Sequence, residues 1–262
     1  PDTSSSRANY MQSLHSVKVN KPESSTIQFF PYSSVTQNFN EQKSKLRIGA
    51  DLLWKPTVNQ QITATINPDF GQAESDELIA NFSAVETLYS DKRAFFTENQ
   101  SLFDVKGNDF EMLNTRRIGG NSDGLSSTPS DILAAIKYIN TNQHLDLGMM
   151  AVTEDDSSDA KGKQFLSTRW LYKSDQGYIG QLVNWVDRPT INRQAITSAL
   201  DYGFDEENLH IDGKLLYSNI KQQGTSETLS GSRGVGLGGT FNVNYRANRQ
   251  WQTDLGLTWL DD

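Results

Sequence analysis

The sequence contains no cysteine and only three histidines among its 262 residues. Without cysteine there is no disulfide framework, no thiolate zinc site and no cysteine nucleophile. His15, His144 and His210 lie far apart in the sequence, and it contains neither the HExxH motif of metalloproteases nor the GxSxG motif of serine hydrolases. We therefore predict no metal site, no cofactor and no catalytic residue from these residue types.

Excess basic charge and long apolar runs are also missing. Lysine and arginine total 24 against 32 aspartate and glutamate residues, a net charge of −8, so we expect no nucleic-acid partner, because nucleic-acid binding needs a basic surface. Only 35% of the residues are hydrophobic, and no run approaches the ~20 apolar residues of a membrane-spanning helix. Helical membrane proteins are excluded. Membrane β-barrels are not, because only alternate residues of their strands face lipid.

The sequence does have a repeated alternation of apolar and polar residues. In segment 46–54, Leu46, Ile48 and Leu52 alternate with Arg47 and Asp51. This period of two is typical of a strand with one apolar and one polar face. It recurs in segments 60–67, 145–151, 164–173, 196–204, 209–218, 235–245 and 251–259.

Two features of these segments favour lipid as the neighbour of the apolar face. The apolar line often ends in an aromatic residue, as a membrane girdle requires; the girdle candidates are Trp54, Tyr172, Tyr217, Tyr245, Trp251 and Trp259. The opposite line carries charges suited to a wet lumen; the pore-lining candidates are Arg47, Asp51, Arg169, Lys173, His210, Asp212 and Lys214. A water-soluble antiparallel sheet with one solvated face is the alternative.

Short and long connections between the segments alternate. Short links such as 174–177 and 205–208 fall between longer polar links such as 154–162 and 220–230. This parity predicts an all-β, antiparallel up-and-down transmembrane β-barrel, an excerpt of a larger barrel with about twelve strands visible. Residues 1–24 are interpreted as a linker from an upstream domain and 25–262 as barrel. Segments 82–96 and 109–118 could form a strand pair, or the whole stretch between strands could fold into the lumen.

Residues 66–103 interrupt the alternation and concentrate charge among aromatic rings. Together with flanking positions they resemble a bacterial outer-membrane barrel family, domain of unknown function 5916. The resemblance is carried by Pro31-Tyr32, Asn67-Pro68-Asp69-Phe70-Gly71-Gln72, Glu74, Asp76, Glu86-Thr87, Asp91-Lys92-Arg93-Ala94-Phe95-Phe96, Glu98 and Arg116-Arg117-Ile118-Gly119. Ala94 stands where the family usually has proline, and Thr97 where it usually has leucine. The resemblance implies an outer-membrane β-barrel and an upstream family-9-like carbohydrate-binding domain, but no known reaction.

We interpret 66–103 as a charged, plug-like insertion into the lumen. Its charges could pair and its aromatics pack as a plug, or aromatic faces and polar groups could bind a sugar. The ligand or lumen candidates are Asp69, Glu74, Asp76, Glu86, Lys92, Arg93, Glu98, Arg116 and Arg117. An unpartnered cleft of carboxylates would favour an enzyme, whereas neutralisation by the basic residues would favour a plug.

The function expected from these observations is a channel or receptor in the bacterial outer membrane for a carbohydrate-type solute, without covalent chemistry. Expected partners are outer-membrane lipid and lipopolysaccharide, an oligo- or polysaccharide ligand, and the upstream carbohydrate-binding domain. Two alternatives stay open. One is an outer-membrane enzyme acting on glycans through a lumenal carboxylate or His–Asp site, and the other is a barrel that anchors a sugar-binding module.

Overall fold

A computed structural model of the chain describes residues 25–38, 43–69, 91–107, 110–125, 129–224, 232–247 and 250–261. These residues form one antiparallel sheet of eleven strands in which neighbours in sequence are neighbours in space. The strands are β1 (Thr26–Asn38), β2 (Lys43–Thr57), β3 (Gln60–Ile66), β4 (Ile132–Thr141), β5 (Leu145–Glu154), β6 (Gln164–Ser174), β7 (Gly177–Arg188), β8 (Arg193–Glu206), β9 (Leu209–Gln222), β10 (Ser232–Arg246) and β11 (Gln252–Leu260).

The sheet confirms the all-β, up-and-down topology predicted from the alternation, with eleven strands among the described residues rather than about twelve. The sheet is open, because β1 and β11 each pair with a single neighbour. The predicted alternation of short and long connections is present in part, since the β7–β8 link of residues 189–192 is shorter than the β10–β11 link of residues 247–251. The links after β2, β4, β6, β8 and β10 lie on one edge of the sheet, which we call the short-turn edge, and the links after β3, β5, β7 and β9 lie on the other, the long-loop edge.

The stretch between β3 and β4 adds no strand to the sheet. β3 pairs directly with β4, from Gln60 opposite Asn140 to Ile66 opposite Ala134. The described part of the intervening chain contains one helical turn, α1 (Ala94–Thr97), and 3-10 turns at Gln100–Leu102 and Thr115–Arg117. The alternative of a strand at 109–118 is therefore wrong for its described residues. Of the proposed partner at 82–96, residues 82–90 lie outside the described residues, and residues 91–96 form irregular chain and the start of α1 in place of a strand.

The two faces of the sheet differ in the way the alternation predicts. We call the outer face the one that carries Leu46, Ile136, Met149, Leu215 and Leu257, all of which are exposed. Large exposed hydrophobic residues continue along it, as Ile27, Phe29, Ile48, Trp170, Ile179, Ile196, Val235, Leu237 and Leu255 show. The other, inner face is polar at β9–β11 and covered at β4–β8. No helix among the described residues has the length and hydropathy needed to span a bilayer.

Candidate functional site: the covered inner face

The described residues between 91 and 131, here called the 91–131 segment, pack on the inner face of β4–β8. They contribute the buried side chains Phe95, Phe96, Leu102, Phe103, Val105 and Ile118. The sheet contributes Ile132, Ala135, Ile139, Met150, Val152, Leu182 and Ala199 to the same cluster. Burial of such side chains is worth about 1.5–3 kcal/mol each, so hydrophobic contact holds this segment against the sheet.

Gly148 gives the segment room on the inner face of β5. A Cβ atom at this position would lie 2.7 Å from Cζ of Phe103 and 2.8 Å from Cδ2 of Leu102. Because real Cβ atoms do not approach other atoms so closely, any larger residue would push both side chains away from the wall. The glycine therefore creates the recess in which the segment sits.

A buried ion pair lies beside this recess. The Arg169 guanidinium on β6 donates to both carboxylate oxygens of Asp201 on β8, at 2.5 and 2.8 Å. Its Nε atom donates to the carbonyl oxygen of Leu102 at 3.1 Å. The side chains of Arg169 and Asp201 are only 4% and 8% exposed. The pair thus joins two strands that are not neighbours and fixes the 91–131 segment to them.

Two further inner-face side chains bind backbone carbonyls of the segment. Lys137 on β4, only 2% exposed, donates from Nζ to the carbonyl oxygens of Phe95 and Glu98. Asn184 on β7 donates to the carbonyl oxygen of Met112 at 2.8 Å. Buried donors of this kind are costly unless they are paired, and the segment supplies the acceptors.

Inside the segment, Arg93 and Asp91 form a second ion pair. Nε and Nη2 of Arg93 donate to Asp91 at 2.9 and 2.6 Å, and Nη1 and Nη2 also donate to the carbonyl oxygens of Ile118 and Thr115 at 2.8 Å each. The guanidinium lies 4.2 Å from the ring centroid of Phe96. Burial acts to raise the pKa of Asp91, but hydrogen bonds from Arg93 and Thr115 outweigh it and lower that pKa. This arrangement connects the beginning of the segment, at Asp91 and Arg93, to Thr115 and Ile118 later in it.

Polar contacts also fix the segment at the long-loop edge. Glu154 at the end of β5 accepts a hydrogen bond from the amide of Gly119 at 2.8 Å. Asp123, whose side chain is 5% exposed, pairs with Arg188 of β7 at 2.5 Å. The hydrogen bond from Arg188 is the main cause that lowers the pKa of Asp123. Arg47 of β2 pairs with Asp131, so the contacts extend from β2 to β7.

The nine ligand or lumen candidates have different positions. Arg93 is central to the ion pair described above, and Glu98 contributes its carbonyl oxygen to Lys137 while its side chain is exposed. The amide of Asp69 donates to the hydroxyl of Tyr32 at 3.1 Å. Lys92 and Arg117 are exposed, and Arg116 is half-buried. Glu74, Asp76 and Glu86 lie outside the described residues.

The seven pore-lining candidates all lie on the inner face, but most of them are engaged by neighbours. Arg47 and Arg169 belong to the ion pairs above, and Lys173 lies 2.7 Å from Asp146. Asp51 accepts a hydrogen bond from Thr65 at 2.5 Å. The remaining three candidates, His210, Asp212 and Lys214, lie on the inner face of β9. Nδ1 and Nε2 of His210 are 2.5 and 3.4 Å from Asp205 and Asp212.

The six girdle candidates lie on the outer face and are exposed. Their exposed fractions are 38% for Trp54, 49% for Tyr172, 37% for Tyr217, 47% for Tyr245, 71% for Trp251 and 48% for Trp259. Trp54, Tyr172, Tyr245 and Trp251 lie near the short-turn edge. Four of the six thus form a row along one edge of the sheet.

Several residues that fix the segment were missed at the sequence level. Lys137, Asp201 and Glu154 each lie on the inner line of a strand, where a charge in an otherwise apolar stretch signals a partner across the sheet. Asp91 and Asp123 have no such signal, because they lie in irregular chain. The acidic link at 155–162 is satisfied internally, with Asp156 paired to Lys161 at 2.6 Å. The described residues contain no group of three histidine or carboxylate side chains able to hold a metal ion.

Comparison with known proteins finds one family model that is similar to part of the chain. Residues 25–147 match the model of the family described as Domain of unknown function (DUF5916). The match covers β1–β4, the 91–131 segment and the start of β5. No curated protein and no solved structure matches the chain.

Proposed function

Because residues 25–147 match the model of the family described as Domain of unknown function (DUF5916), we propose a function for the chain as part of a barrel. The sheet forms part of an antiparallel β-barrel in the bacterial outer membrane, with the outer face in lipid and the inner face around a lumen. The barrel acts as a channel or receptor for a carbohydrate-type solute, without covalent chemistry. The 91–131 segment occupies the lumen and restricts passage through it.

The observation that carries this proposal is the exposure of the outer face. Phe29, Leu46, Ile48, Leu237 and Leu257 are between 56% and 66% exposed, and similar residues follow on strand after strand. Contiguous apolar patches on soluble monomers rarely exceed a few hundred Å² and mark interaction sites when they do. A face of this extent spread over an eleven-stranded sheet is favourable in acyl chains and unfavourable in water.

The inner face supports the second half of the proposal. On β4–β8 its buried charged residues Lys137, Asp146, Arg169 and Asp201 are paired with a neighbouring charge or bound to the 91–131 segment, as a lumen containing a plug would require. Passage would then depend on the remaining width and on the lining charges. Outer-membrane lipid and lipopolysaccharide are the proposed partners of the outer face. The upstream carbohydrate-binding domain proposed for the full-length protein would deliver the solute.

The test uses Gly148 to displace the plug without deleting it. The full-length protein, its Gly148→Leu variant and its Gly234→Leu variant are reconstituted in planar bilayers, and single-channel conductance is recorded. A side chain at Gly148 collides with Leu102 and Phe103, whereas a Cβ at Gly234 meets nothing within 4 Å. We expect Gly148→Leu to raise the conductance or the open probability at least several-fold and Gly234→Leu to leave both at the wild-type level.

Two results would contradict the proposal. Absence of membrane insertion for all three proteins would reject the barrel in lipid. Insertion with equal conductance in wild type and Gly148→Leu would reject control of the lumen by the 91–131 segment. The alternative of a barrel that anchors a sugar-binding module would then be favoured. Mass spectrometry after limited proteolysis shows separately whether Gly148→Leu has released the segment, since released chain is cut more rapidly.

A further inference from the structure

The inner face of β9–β11 is not covered by the 91–131 segment. Asn242 on β10 and Asp254, Gly256 and Thr258 on β11 are exposed, and the side chain of His210 on β9 is 48% exposed. On β4–β8, by contrast, the segment buries most of the inner face, although Tyr178 at the short-turn end of β7 stays 38% exposed. Among the residues that the structure describes, the inner face therefore has a second, accessible surface whose chemistry the plug does not explain.

One row of this surface combines an aromatic ring with a polar floor. The strand registers place Tyr178, Gly203, Asp212, Asn242 and Gly256 side by side across β7–β11. The Tyr178 ring lies over Gly203, because a Cβ at Gly203 would collide with it. The tyrosine is 38% exposed. Asn242 donates to Asp212 at 2.9 Å, which leaves further acceptor positions of that carboxylate open.

The next row towards the short-turn edge also pairs carboxylates with neighbouring donor groups. It runs from Asp205 through His210 and Asn244 to Asp254. His210 lies 2.5 Å from Asp205, and Asn244 donates to Asp254. Each carboxylate is thus held by a neighbouring donor group, and amide, imidazole and carboxylate groups alternate along the row.

A buried hydroxyl adds to the same surface. Thr240 lies two residues before Asn242 on the inner line of β10 and is 8% exposed. Its hydroxyl oxygen has no hydrogen-bond partner within the part of the chain that the structure describes. Buried hydroxyl groups are normally paired, and because this atom has almost no accessible surface, a small group such as an ordered water would complete its bonding.

We propose that these two rows form a binding subsite for a neutral oligosaccharide. The exposed Tyr178 ring would pack against the apolar face of a sugar ring, and the Asp212–Asn242 and Asn244–Asp254 pairs would exchange hydrogen bonds with its hydroxyls. The three carboxylates Asp205, Asp212 and Asp254 disfavour acidic sugars. The inference rests on the proposed function, since it names the solute class and places it on the inner face beside the plug.

Binding of the full-length protein in detergent to an array of neutral, acidic and amino-sugar oligosaccharides tests the subsite. The variants are Tyr178→Leu, Tyr178→Phe and the matched control Tyr202→Leu. Tyr202 covers Gly213 on the outer face as Tyr178 covers Gly203 on the inner face, so both leucine variants lose an equivalent ring–glycine contact. We expect Tyr178→Leu to weaken binding of neutral oligosaccharides about tenfold. Tyr178→Phe and Tyr202→Leu should bind like wild type.

The subsite is rejected if no neutral oligosaccharide is retained, if acidic sugars bind more tightly, or if Tyr178→Leu and Tyr202→Leu lower binding equally. Far-UV circular dichroism verifies that both leucine variants are folded. Conductance in bilayers distinguishes this failure from failure of the proposed function. A conducting, plug-controlled channel that binds no neutral glycan rejects the subsite alone. A glycan-binding protein whose binding depends on Tyr178 but that does not conduct rejects the channel alone.

Discussion

The substitution Leu257→Arg should lower the free energy of unfolding far more than the substitution Thr258→Arg. These two residues of β11 are neighbours in sequence and both are exposed, but Leu257 points to the outer face and Thr258 to the inner face. Leu257 lies opposite Phe241, and Thr258 lies opposite Thr240. The pair therefore compares the two faces at one depth in one strand.

The expected difference follows from the solvent on each side. If both faces met water, each substitution of an exposed residue would change the free energy of unfolding by less than about 0.5 kcal/mol. If the outer face meets acyl chains, Leu257→Arg costs about 2–4 kcal/mol near the bilayer midplane. Thr258→Arg, on the polar inner face of the same strand, stays within about 1 kcal/mol.

Equilibrium urea unfolding in phosphocholine vesicles, followed by tryptophan fluorescence, measures both values. A loss for Leu257→Arg that exceeds the loss for Thr258→Arg by at least about 1.5 kcal/mol supports the lipid assignment. Equal and small losses would refute it and would favour a soluble sheet. A large loss for Thr258→Arg alone would mean that the two faces are assigned the wrong way round.

Two further outcomes are expected for the 91–131 segment. Arg169→Met or Asp201→Leu alone should lower the free energy of unfolding by about 3–5 kcal/mol, because each leaves a buried charge unpaired. The double variant should recover most of that loss. A double-mutant cycle measured by urea unfolding gives the coupling energy, and additive losses would contradict the expected coupling. The pKa of Asp91 is lowered in the folded protein. The stability that this carboxylate contributes is therefore fully present above its ordinary pKa near 3.8, and it is lost as the pH falls through the lowered pKa. Unfolding of wild type and Asp91→Asn between pH 2 and 6 checks this, and parallel pH curves for the two proteins would contradict it.

Strands and faces were predictable from the sequence because alternation is a local property. The period-two lines around Leu46, Leu147 and Leu215 correctly assigned each of these residues to the outer face, since a strand turns alternate side chains to opposite sides. Adjacent strands joined by short turns then determine the order of the sheet. These two facts predict the up-and-down order on each side of residues 67–131, but not the direct pairing of β3 with β4 across that long link.

The residues that fix the 91–131 segment were not predictable in the same way. Arg169 was recognised as an inner-face charge, but its partner Asp201 lies 32 residues away along the chain and on a strand two positions removed. The backbone carbonyl groups of Phe95, Leu102 and Met112 carry no sequence signal at all, although Lys137, Arg169 and Asn184 bind them. Non-local pairing and backbone acceptors depend on the fold of irregular chain, which no periodicity describes.

The division of the inner face between two tasks follows from how its polar groups are satisfied. On β4–β8 the donors point at carbonyl groups of the same chain, so a ligand there would have to displace contacts that bury Arg169 and Lys137. On β9–β11 the carboxylates of Asp212 and Asp254 each receive an amide donor and keep acceptor positions exposed to solvent. A ligand can use those positions without cost to the fold. In the proposed function, recognition therefore falls to β9–β11 together with the exposed Tyr178 on β7, and closure falls to the covered part of β4–β8.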